Sequence, residues 1–144
     1  MNQKINQIHE RAPRAVYNSY TSSFEDLLNI DKSMKIHHRN IHCVAIEMFK
    51  VKNNLCPPFL RELFQLNTGP STRKRNTFIR AKVKTVKGEN SLRVFGPIVW
   101  NNMLPENVKN SSSLIEFKNS LRFWVPENCV CNLCKTYVQR VGFL

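Results

Sequence analysis

Ile5, Ile8, Ala12, Ala15 and Val16 recur at helical spacing, which predicts a first helix within residues 3–20. Pro13 sits inside that pattern. A proline there removes one backbone hydrogen bond and crowds the preceding turn, so the helix is expected to start afresh at Pro13 or to kink. Ser22-Ser23-Phe24-Glu25 reads as a capping box, with Ser22 as N-cap and Glu25 reaching back. It opens a short helix over 23–30 that buries Phe24, Leu27 and Leu28. After a connector at 31–34 comes the longest expected helix, 35–52. On a wheel of about 100° per residue, Ile41, Val44, Ala45, Met48 and Val51 group together. Ile46 and Phe49 widen that arc beyond the usual stripe, and Cys43, Glu47 and Lys50 fill the polar side, so this helix is expected at the centre of the core.

Pro57-Pro58 interrupts the chain, and 59–66 reads as another short helix with Phe59, Leu60, Leu63 and Phe64 apolar. A turn-rich linker follows at 67–76. From Phe78 the period changes to two. Ile79, Ala81, Val83 and Thr85 fall on one face, with Arg80, Lys82 and Lys84 on the other. The alternation predicts a half-buried strand with a basic outer face, a turn at 87–90 and a return strand at 91–95. Pro97 suits the first turn of a helix over 98–104 around Trp100. Pro105 breaks the pattern again. A second capping box, Ser113-Leu114-Ile115-Glu116, opens a helix to about Trp124 with Leu114, Phe117, Leu121 and Trp124 on one face. No internal repeat is visible. The expected fold is mainly α with a small β-hairpin (α+β): a helical region over 1–66, a linker over 67–76, a basic hairpin with two helices over 77–125, and a Cys-rich tail over 126–144.

Composition narrows the chemistry. The 144 residues are 42% hydrophobic and 22% charged, which is ordinary for a globular chain. The charge is not ordinary: 22 Lys and Arg against 10 acids gives +12, which points to a polyanionic partner. No apolar run approaches the ~18–20 residues of a membrane span, so no membrane partner is expected. Asp26 and Asp31 are the two aspartates, and converging carboxylates of the kind a two-metal site needs are lacking. The four glycines at 69, 88, 96 and 142 are isolated, which excludes a Gly-rich phosphate loop. His42 and Cys43, adjacent on one helix, cannot face each other as a dyad. The chain is read as not an enzyme.

Eight basic residues, Arg73, Lys74, Arg75, Arg80, Lys82, Lys84, Lys87 and Arg93, lie within 21 residues that hold one acid, Glu89. They are the candidate nucleic-acid-binding residues, acting on phosphates with little base specificity. Phe78, Phe95 and Trp100 lie nearby and are read as core, with base stacking as the alternative. The five cysteines include Cys129-x-Cys131-x-x-Cys134. That is not a disulfide framework, and a reducing, intracellular compartment, nuclear or cytoplasmic, is expected. The three thiols are candidate zinc ligands; a fourth would come from His37, His38, His42, Cys43 or Cys56. Free reduced thiols are the alternative.

Three blocks together resemble one family. They are His9-Glu10-Arg11-Ala12-Pro13-Arg14-Ala15-Val16-Tyr17-Asn18 leading into Ser23-Phe24-Glu25-Asp26-Leu27-Leu28; Ile36-His37-His38-Arg39-Asn40 continuing to Met48-Phe49-Lys50-Val51-Lys52-Asn53; and Phe95-Gly96-Pro97-Ile98-Val99-Trp100-Asn101-Asn102-Met103-Leu104-Pro105 with the helix after Ser113. Their order and spacing resemble the C-terminal region of non-LTR (LINE-type) retrotransposon reverse transcriptases, downstream of the polymerase palm. The resemblance implies a thumb-like helical segment that begins after the catalytic aspartates, with a zinc-knuckle-like end. It implies binding of RNA or DNA for a polymerase this chain lacks. The family tends to have leucine where Pro13 stands, a departure that suggests a degraded copy. The competing expectations are an inactive structural remnant, or a protein-interaction module using the exposed side of the 35–52 helix.

Overall fold

The computed structural model describes residues 2–67, 77–89 and 91–126. They are mainly helical, and among them β pairing is confined to one antiparallel bridge, Leu66 to Phe78. The chain divides into two compact units, 1–40 and 41–144, and the division falls inside the longest helix. Phe64 and Phe78, on either side of the 67–76 linker, meet edge to face in one core.

In the first unit, α1 (Asn2–Val16) runs through Pro13 without a break in helical assignment. It neither restarts nor stops there. Tyr17 N–H bonds Pro13 O at 2.9 Å, and Asn18, at φ 46°, turns the chain out. The Arg14 guanidinium then holds the connection to the next helix, donating to Tyr20 O at 3.0 Å, Ser22 O at 2.9 Å and Glu10 at 3.2 Å. The apolar face expected of α1 is not covered: Ile8 and Val16 are 67% and 77% exposed. Helix α2 (Phe24–Asp31) starts one residue later than its box suggested. Ser23, not Ser22, caps it, accepting from Asp26 N–H at 3.1 Å. Ser22 is engaged with Ser19, and Glu25 turns to Lys35 at 2.6 Å, an ion pair that lowers the Glu25 carboxyl below its usual range. Leu27 and Leu28 are buried as expected.

The second unit is built on α3 (Ile36–Lys52), whose Ile41, Ala45, Met48, Phe49 and Val51 are buried. The polar side expected of it is present, with Lys50 paired to Glu47 at 2.7 Å. Helix α4 (Pro58–Glu62) is a short turn, and its Phe59 is 68% exposed. The one-turn α5 (Val86–Glu89) precedes α6 (Leu92–Ile98), which passes directly into a π-helical turn, Val99–Met103. Then come α7 (Glu106–Lys109) and α8 (Leu114–Arg122). Ser113 caps α8 by accepting from Glu116 N–H at 3.2 Å, while the Glu116 carboxylate takes the Ser112 hydroxyl and N–H. Phe117 and Leu121 are buried and Leu114 and Trp124 pack beside them, the face the sequence predicts.

Aromatic rings connect these elements. Phe49 stacks on Phe117 with centroids 4.3 Å apart, Phe117 on Trp100 at 6.1 Å, and Phe78 meets Trp100 edge-on at 5.8 Å. Each large side chain removed from water contributes roughly 1.5–3 kcal/mol, so this row is the main source of the unit's cohesion. Phe78 and Trp100 are thus core, not base-stacking surfaces, and Phe95 packs partly buried against the core.

The expected hairpin requires correction. Its return strand, 91–95, is the first half of α6, and its turn is α5. The helix around Trp100 also begins earlier than expected, so Pro97 lies inside α6 rather than opening it. The reason is the close approach of α6 to α3. A Cβ at Gly96 would lie 2.5 Å from Met48 Sδ, so a larger residue would force the Met48 side chain to shift, and Val94, Gly96 and Pro97 are buried there. Packing on α3 overrides the weak alternation of five residues.

Candidate nucleic-acid interface

The basic segment starts at an anchored residue. Phe78 is 3% exposed, and the chain around it is hydrogen-bonded along both edges. On one edge Asn67 N–H bonds Thr77 O and Ile79 N–H bonds Gln65 O, both at 2.8 Å. On the other, the Asn101 side-chain amide imitates a neighbouring strand. Its Oδ1 accepts from Phe78 N–H at 2.9 Å, and its Nδ2 donates to Phe78 O at 2.8 Å. Asn101 reaches this position from the π turn, closed by Leu104 N–H to Val99 O at 3.1 Å, in which Trp100 is fully buried. The widened turn lets adjacent residues serve two purposes, one filling the core and the other pairing with backbone. No sequence pattern singled out Asn101.

Beyond Phe78 the chain leaves the core. From Arg80 to Lys84 no backbone–backbone hydrogen bond ties it to the other described residues. Ile79 and Val83, expected on a buried face, are 51% and 37% exposed, because one bridge supplies no sheet to cover them. The segment turns back at α5, where Gly88 N–H bonds Thr85 Oγ1 at 3.1 Å, and re-enters the core at Val94.

Arg80, Lys82, Lys84, Lys87 and Arg93 are all exposed on this excursion. The ion pairs among the described residues involve Arg14, Lys35, Lys50 and Lys109 instead. Cations outside the ion pairs among the described residues keep their charge available to an external anion. Arg73, Lys74 and Arg75 lie outside the described residues.

Two other lysines are used internally. Lys52 Nζ stands 5.2 Å from the Trp100 ring centroid and donates to Lys109 O at 3.4 Å. Burial lowers its pKa from the ordinary lysine value, offset in part by Glu106. Lys109, buried, pairs with Glu106 at 2.8 Å.

Cys129, Cys131 and Cys134 also lie outside the described residues. Of the candidate fourth ligands, Cys43 is exposed and Cys56 half-buried, both as free thiols. His37 and His38 are half-buried. His42 is buried, stacked on Trp124 at 5.5 Å, with Nε2 2.9 Å from Trp124 O. A carbonyl only accepts, so Nε2 carries the proton and Nδ1 is the nitrogen left for any ligand role. No group of three ligating side chains occurs among the described residues. Among them, no helix is long and apolar enough to cross a membrane.

Comparison with profiles of known protein families, with curated proteins and with solved structures finds no match.

Proposed function

We propose that this chain is a non-catalytic nucleic-acid-binding segment that grips phosphates through its basic excursion, as the C-terminal region of a non-LTR reverse transcriptase would in holding template or target. The carrying observation is that Arg80, Lys82, Lys84, Lys87 and Arg93 are exposed and outside the ion pairs found among the described residues, on a segment fixed at Phe78 and Val94. Phosphate neutralisation releases counterions, so affinity should fall steeply with salt. Filter binding of an RNA or DNA strand at two salt concentrations tests this. Changing Arg80, Lys82 and Lys84 together to Gln should weaken binding and flatten its salt dependence. Binding unaffected by the triple change ends the proposal and leaves a structural remnant or a protein-interaction module.

The same reading assigns zinc to Cys129, Cys131 and Cys134, and an intracellular setting, nuclear or cytoplasmic. Protein purified without an affinity tag should carry roughly equimolar zinc, since structural zinc binds tightly. A stoichiometry near zero removes that part.

A further inference from the structure

We propose that the nucleic acid taken by this chain is single-stranded, and that Phe59 is the platform on which one of its bases stacks; this rests on the phosphate-binding reading of the basic excursion. The turn around α4 is apolar on both sides. Leu60 and Phe64 face inward and belong to the core. Phe59 and Leu63, one turn apart, face outward, 68% and 46% exposed. Burial explains the first pair and leaves the second without an internal use. A phenyl ring in water gains most from a flat apolar partner, and a nucleobase offers one.

The backbone joins this ring to the cations. Ile79 N–H bonds Gln65 O at 2.8 Å, so the chain three residues past α4 is fastened to the first residue of the excursion. Phe59 precedes Gln65 by six residues, and Arg80 follows immediately after Ile79. Leu66 and Ile79, on the two bridged segments, are 38% and 51% exposed. Arg61, exposed on the same helix, is oriented by Asn54 Oδ1 at 3.0 Å. Exposed aromatic and neighbouring cations form the arrangement that holds a single strand, rings taking base faces and cations taking phosphates. A duplex keeps its base faces inside the stack, so the partner that satisfies both features has unpaired bases.

The full chain should bind a 20-nucleotide thymidine strand about 5- to 100-fold more tightly than an abasic strand of equal length, the range for loss of one stacked base. Phe59→Leu keeps an apolar side chain but removes the π-face, and should close most of the gap between the two strands. Phe59→Trp should restore it, with indole fluorescence quenched on binding. Equal loss on both strands, or no loss with Phe59→Leu, overturns the stacking assignment. So does a wild-type chain that binds both strands alike. Failure of the wild-type chain to bind the abasic strand at low salt instead overturns the phosphate reading, and this inference with it.

Discussion

His42 donates from Nε2 to Trp124 O while its ring lies against the indole, coupling the middle of α3 to the end of α8. Burial, the larger influence, lowers its pKa from the ordinary histidine value, and the hydrogen bond opposes that in part. The folded form therefore holds a neutral ring. As pH falls below about 6.5, the unfolded chain takes up this proton before the folded one does, so stability falls with pH down to the folded-state value. Urea unfolding between pH 7 and pH 5 should show that decline, and it should be shallower in His42→Phe. An equal slope in both proteins would place the pH dependence elsewhere. Gly96 is the second sensitive residue. Its missing side chain is the space that Met48 occupies. Gly96→Val drives two branches into a thioether with no exposed surface to retreat to, and should cost about 1–3 kcal/mol in urea unfolding.

At the scale of elements, the link between Phe78 and the π turn decides whether the basic excursion has a fixed starting point. The Asn101 amide meets both polar groups of one peptide-bearing residue, and removing it leaves a donor and an acceptor unpaired at the edge of the core. Asn101→Ala should cost about 1–3 kcal/mol, and the Phe78 amide should exchange with solvent faster relative to the core of α3. Ser113 offers a simpler comparison. Its hydroxyl satisfies one N–H at the start of α8, and Ser113→Ala should cost about 1 kcal/mol in thermal unfolding without affecting Phe78 exchange.

For the whole molecule, the relevant quantity is how an excess of positive charge is distributed. Part of it is used internally, as at Lys52 above Trp100 and Lys109 beside Glu106. The exposed cations between Phe78 and Val94 take no part in the ion pairs among the described residues. If Arg80, Lys82 and Lys84 each neutralise one phosphate of a single strand, the triple Gln change should reduce the slope of log affinity against log salt by about 2. Thermal unfolding should barely change, since exposed charges of this kind contribute little to stability. A large loss of stability with an unaltered slope would mean that these side chains belong to the fold.

The helical majority of the structure was legible in the sequence because 3.6-residue periodicity directly reports which face is buried. The wide apolar arc of α3, the Ser113 box and the row Leu114, Phe117, Leu121 and Trp124 are local patterns with local causes. The buried destination of Phe78 and Trp100 was legible too, since Phe and Trp side chains are on average highly buried. What only the tertiary structure decided came from contacts distant in sequence. Gly96 against Met48 turns an expected return strand into α6, and Asn101 replaces the partner strand that Phe78 would otherwise need. The exposure of Ile8, Val16 and Phe59 belongs to the same class. An apolar residue at helical spacing states that a helix has an apolar face, whereas whether anything covers that face depends on where the remainder of the chain has been drawn by its own packing.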